Sequence, residues 1–117
     1  MSATRLESEQ LGFSAFFRFM ADHPGLCRII REAELVSPVK LHLHYGRIVE
    51  GYVPRLRAAM DAGEIPPADP EVLAWALTGL GELIGMRWVL WDEDRAMPAE
   101  VMDQTAGLIA RILGVSS

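Results

Sequence analysis

A chain of 117 residues, half of them apolar, is long enough for one self-sufficient hydrophobic core and leaves no room for a second domain. Its 16 Asp and Glu outnumber 11 scattered Lys and Arg, and a net charge of −5 argues against a clustered basic surface for phosphate backbones. The single cysteine, Cys27, excludes an intramolecular disulfide and a cysteine-built zinc site, and it fits a reducing, cytoplasmic setting.

The opening residues, MSATRLESEQ, are polar and lack the apolar core of a signal peptide. Residues 1–10 are expected to be disordered or frayed, ahead of a single helical domain over 11–117. Apolar positions recur every three or four residues, and no stretch alternates at period two, so the chain reads as all-α. The first segment, from about Leu6 to Asp22, places Leu6, Phe13, Phe16, Phe17 and Met20 on one face. His23-Pro24 ends it, and Pro24 suits the first position of a second helix reaching Leu35, with Leu26, Ile29, Ile30 and Ala33 as its stripe.

Ser37-Pro38 restarts the chain. The third helix runs from Pro38 to about Ala62 with Leu41, His42, Tyr45, Ile48, Val49, Tyr52, Val53, Leu56 and Met60 inward, and Gly63 closes it. Pro54 removes a backbone donor inside this pattern, which predicts a kink near Glu50 or a break. Asp69 and Pro70 form an N-cap and first-turn pair for a fourth helix, Pro70 to Trp91. After the acidic turn WDEDRAMP, read as solvated, a fifth helix from Pro98 to Leu113 turns Val101, Met102, Thr105, Leu108, Ile109 and Ile112 inward and ends at Gly114. The expected fold is a five- to six-helix bundle.

The fourth segment contains LTGLGELIGMRW, with Gly79, Gly81 and Gly85 in the most apolar part of the chain. A dinucleotide loop needs G-x-G-x-x-G after a strand; here the third glycine is one residue late and the lead-in is helical. Glu82 and Arg87 argue against a membrane span. Ala74, Thr78, Gly81 and Gly85 instead form a strip of small residues on a helix apolar nearly all round. Because glycine costs about 1 kcal/mol in a helix relative to alanine, the strip calls for compensation by close approach of another helix. A symmetry mate can supply that helix. The fifth helix offers a comparable strip at Ala106 and Ala110 beside its main stripe, with Gly107 nearby.

FFRFMADHPGLCRIIREAE, followed by a long helix ending RLRAAMDAGEIPPADPEVLAWALTGLGELIGMRWVLWD, resembles the C-terminal effector-binding and dimerisation domain of TetR-type transcriptional regulators. The matching features are the His23-Pro24 junction, the helix end from Ala59 to Ile65, and the run from Asp69 to Asp92, in that order, within about Leu11 to Gly114. The family's N-terminal helix-turn-helix head has no counterpart here, so operator binding is not carried over. The resemblance implies a homodimer built through the last two helices and a mostly apolar effector pocket enclosed by the first four. The expected interface residues are Ala74, Thr78, Gly81, Gly85, Leu108, Ile109 and Ile112.

The expected pocket residues are Phe16, Phe17, Met20, Leu41, His42, Tyr45, Val49, Tyr52, Trp75 and Met86. Such a stripe is also what an ordinary core looks like. The two tyrosines sharpen the pocket reading, because buried phenols need hydrogen-bond partners and a ligand could be one. His42 and His44 lie about 200° apart on a helix and cannot grip one metal ion. Ser14, Ser37 and Thr78 have no evident His and Asp partners, and Glu82 is the lone carboxylate in an apolar setting. No enzyme activity, cofactor or metal is expected, nor any nucleic-acid or membrane contact. The sequence therefore suggests a homodimeric sensor of an apolar or amphipathic small molecule. The alternative is a homodimeric helical interaction module with a filled core.

Overall fold

The computed structural model describes residues 4–91 and 96–115, without the side chain of Glu34. The N-terminal residues 1–3 and the centre of the acidic turn, residues 92–95, about which the sequence makes predictions, lie outside the described residues. Among the described residues the chain is all-helical: α1 (Arg5–Asp22), α2 (Pro24–Val36), α3 (Pro38–Asp61), α4 (Pro70–Gly85) continued by one π-helical turn (Met86–Leu90), and α5 (Ala99–Leu113).

Local chemistry accounts for these limits. Helix α1 starts at Arg5 because the Thr4 hydroxyl accepts from the Glu7 backbone N–H and donates to the Glu7 carboxylate. Residues 5–10 are thus helical, which corrects the expectation of a frayed segment through residue 10. Pro24, Pro38 and Pro70 open α2, α3 and α4. Asp69 caps α4 by accepting from the N–H groups of Glu71 and Val72 at 2.9 and 3.2 Å. Helix α3 runs without a break through Pro54. Gly63 and Gly114 follow α3 and α5 with φ of 72° and 74°, a conformation that glycine adopts without steric cost.

Helix α1 lies at the centre, packed against α2, α4, the π turn and α5, while α3 packs against α2 and α4. Phe13, Phe17 and Met20 of α1, Val49 and Leu56 of α3, Leu73, Ala74 and Leu77 of α4, and Ile109 and Leu113 of α5 meet in one core. The small strip of α4 faces this core. A Cβ on Gly81 would lie 3.0 Å from the Phe13 ring, and one on Gly85 would overlap the Met20 sulfur. The close approach expected of these glycines is therefore made by α1 of the same chain.

Three faces differ from the helical-wheel reading. The π turn departs from 100° per residue, so Met86, Val89 and Leu90 are all buried while Trp91 is exposed. Helix α5 is rotated so that Ala110 and Leu113 face inward and Leu108 and Ile112 are partly exposed. Among the described side chains of α2 only Cys27 is buried, and Leu26 and Ile29 face outward. By length and composition the 21 residues Pro70–Leu90, with a mean hydropathy of 1.2, could cross a membrane. In this fold, one side of the same stretch is covered by α1 and α3.

Candidate functional site

A cavity of about 310 Å³ opens between α1, α3 and α4. One face of α1 lines it through Arg5, Ser8, Glu9, Gly12 and Phe16, residues spaced by three and four that share that side of the helix. Ile48, Tyr52 and Arg55 contribute the α3 wall, and Leu77, Thr78, Gly81 and Glu82 the α4 wall. Glycine at position 12 leaves open space where a side chain would stand, and glycine at 81 lets α4 approach the Phe13 and Phe16 rings. The lining is mostly apolar with polar groups at its margins, and the volume is at the lower end of the roughly 300–1,000 Å³ typical of small-molecule sites.

At one end sits a built polar cluster. Glu9 is only 5% exposed, an unusual depth for a carboxylate. It accepts a hydrogen bond from the Tyr52 hydroxyl and lies 3.7 Å from an Arg5 terminal nitrogen. The backbone N–H of Arg5 also donates to the Glu64 carboxylate, tying the start of α1 to the loop after α3. The guanidinium of Arg55 lies 5.6 Å from the centre of the Tyr52 ring, and its Nε donates to the Gly51 carbonyl. Burial, and then the hydrogen bond and negative charge of Glu9, push the Tyr52 phenol well above its ordinary value.

This cluster gives a direct prediction. A phenol harder to ionise in the folded state stabilises the fold below the unfolded tyrosine value, about pH 10, and that contribution falls as pH rises beyond it. The substitution Tyr52→Phe also leaves Glu9 without its donor. It should cost about 1.5–3 kcal/mol at pH 7, measured by denaturant unfolding. The cost should shrink above pH 10; a pH-independent cost would mean that the hydroxyl is not coupled to Glu9.

Glu82, half-buried and lining the same cavity as Phe16 and Ile48, makes no ion pair among the described residues. Burial first and the Glu82 charge second raise the Cys27 thiol above its ordinary value, and they act in the same order on the Tyr45 phenol. The Tyr45 hydroxyl is itself buried, with Arg31 and Glu82 as its polar neighbours and no hydrogen bond of good geometry to either.

Of the expected pocket residues, Phe16 and Tyr52 line this cavity. Phe17, Met20, Val49 and Met86 are core side chains outside its lining, because Phe17 and Met20 are directed at Gly85. Leu41 and Tyr45 are half-buried and away from the lining, His42 is exposed, and Trp75 lies on the outer face of α4. The partner expected for a buried phenol is present for Tyr52, but Glu9 of the same chain supplies it. Sequence reasoning passed over Glu9, although a carboxylate four residues before Phe13 on an inward stripe was the available signal.

The expected interface residues divide similarly. Ala74, Gly81, Gly85 and Ile109 are interior, covered within the chain, and so do not form an outer surface. Thr78 lines the cavity and donates its hydroxyl proton to the Ala74 carbonyl at 2.8 Å. Leu108 and Ile112 remain partly exposed. The outer face of α4 instead carries Val72 and Leu83, 66% and 61% exposed, with Trp75, Ala76 and Gly79 between them. A Cβ on Gly79 would meet nothing within 4 Å.

Neither a protein-family model nor a curated protein sequence matches this chain.

Proposed function

We propose that this protein is a ligand-sensing and dimerisation domain resembling that of TetR-type regulators. The observation that carries the reading is the cavity between α1, α3 and α4: mostly apolar, open at Gly12, and lined also by a few polar groups, Glu9 and Glu82 among them. Its occupant is an apolar or amphipathic small molecule. The domain requires no cofactor or metal, performs no catalysis, works in the cytoplasm, and touches neither nucleic acid nor membrane directly.

A homodimer forms through the outer face of α4, Val72, Trp75, Ala76, Gly79 and Leu83, together with Leu108 and Ile112 of α5. Two observations support this surface. Large apolar side chains stand exposed along one face of α4, and the open position at Gly79 permits close approach of a second helix.

A second reading, a helical interaction module without a ligand, is favoured by the apolar side chains that α2 and α3 leave uncovered at Ile29, Leu35, Val36 and Val39. Thermal denaturation with neutral acyl and aromatic compounds separates the two. A sensor gains stability with ligand concentration as RT ln(1 + [L]/Kd), whereas an interaction module is indifferent to every compound.

A further inference from the structure

The chemistry of the cavity walls selects the charge of the occupant. Four side chains of charged type line the space: Arg5, Glu9, Arg55 and Glu82. Arg5 and Glu9 are committed to each other, and Glu9 also accepts a hydrogen bond from the Tyr52 hydroxyl, so this pair presents no net charge. Arg55 is exposed, solvated and stacked outside Tyr52, and it incurs little penalty when the cavity is empty. Glu82 is different: it is half-buried, makes no ion pair among the described residues, and lines the same cavity as Phe16.

Hydrogen bonding on the α4 wall has the same polarity. Thr78 stands one turn before Glu82, and both line the cavity. Its single hydroxyl proton is spent on the Ala74 carbonyl, which leaves the oxygen as an acceptor only. The α4 wall therefore offers acceptors at Thr78 and Glu82 and no side-chain donor. Across from it, Phe13 and Phe16 supply ring surfaces of the kind that attract cations.

We propose that the cavity takes a lipophilic monocation, its apolar or aromatic body against Gly12, Phe13, Phe16 and Ile48 and its ammonium group at the Glu82 carboxylate. The Tyr45 hydroxyl is the polar neighbour of Glu82 and sits between it and Arg31, but Arg31 forms no ion pair with Glu82, so no cation of this chain's described residues compensates the carboxylate. This inference rests on the sensor reading, which it narrows to one ligand charge.

Three probes of matched chain length test it: octylammonium, octan-1-ol and octanoate, titrated calorimetrically into the full chain at pH 7 below their aggregation concentrations. Octylammonium should bind about tenfold more tightly than octanol, and octanoate more weakly than octanol. The nearly isosteric Glu82→Gln substitution should bring octylammonium to the octanol level and leave octanol unchanged. Equal binding of all three probes, or tightest binding of octanoate, overturns the monocation inference and leaves the sensor reading standing. An undiminished octylammonium preference in Glu82→Gln likewise overturns it. Binding of none of the three overturns both. The ranking in the unsubstituted protein does not depend on whether the variant folds.

Discussion

Gly85→Leu should lower the stability of this domain by about 3 kcal/mol, a fall in Tm on the order of 10 °C, whatever the oligomeric state. The site has no space for a side chain: a Cβ there already overlaps the Met20 sulfur, and the Phe17 ring is 3.4 Å away. Both neighbours are buried, so a leucine must first displace the Met20 thioether, for which the core leaves little room, and then press its branched end on the Phe17 ring of α1. The helix-propensity gain of about 1 kcal/mol from replacing glycine offsets only part of this. Leu83→Glu is the complementary change. Leu83 is on the outer face, where a charge is tolerated by the monomer and opposed in an apolar interface, so this variant should keep its Tm as a monomer and shift light scattering from dimer to monomer. The opposite pattern, with Gly85→Leu changing assembly and leaving monomer stability intact, would mean that the small strip contacts a second subunit.

That contrast shows where the sequence was informative. Prolines 24, 38 and 70, the Asp69 cap and the two glycines after α3 and α5 are local signals, and local signals place helix ends because capping and proline geometry act within one turn. The three-helical-glycine pattern correctly implied a close neighbour at Gly81 and Gly85. It held no information on whose helix that was, since α1 of the same chain and a helix of another chain satisfy the same small residues.

The faces of α4 and α5 were less legible. The π turn after Gly85 adds a local change of twist that no 100° wheel anticipates, and it turns Val89 in and Trp91 out. The cavity was displaced from its expected place for a related reason. Phe17 and Met20 are drawn into the gap above Gly85, which leaves the earlier part of α1, through Glu9, Gly12 and Phe16, to line the open space. Aromatic content identified Phe16 and Tyr52; the polar residues that complete the site, Arg5, Glu9, Thr78 and Glu82, are common surface types whose role depends on the packing of three helices.

Filling the cavity should abolish ligand binding without harm to the fold. Gly12 is the position for this: it lines the space from the same α1 face as Glu9 and Phe16, and a Cβ there meets nothing within 4 Å. A phenyl ring at this site occupies volume the ligand needs, while replacing a helical glycine favours α1 by up to about 1 kcal/mol. In the unsubstituted protein a ligand at a hundredfold excess over its Kd adds about 2.7 kcal/mol of stability. Gly12→Phe should lose nearly all of that increment, a fall in affinity of at least roughly tenfold for each 1.4 kcal/mol of contact removed.

Thermal denaturation of the unsubstituted chain and of Gly12→Phe, each with and without the same neutral eight-carbon alcohol, therefore bears most directly on the cavity as a ligand site. The expected result is a concentration-dependent rise in Tm for the unsubstituted protein and none for Gly12→Phe, whose own Tm is equal or higher. An equal rise in both proteins would place the ligand elsewhere, and no rise in either would leave the cavity without a ligand role.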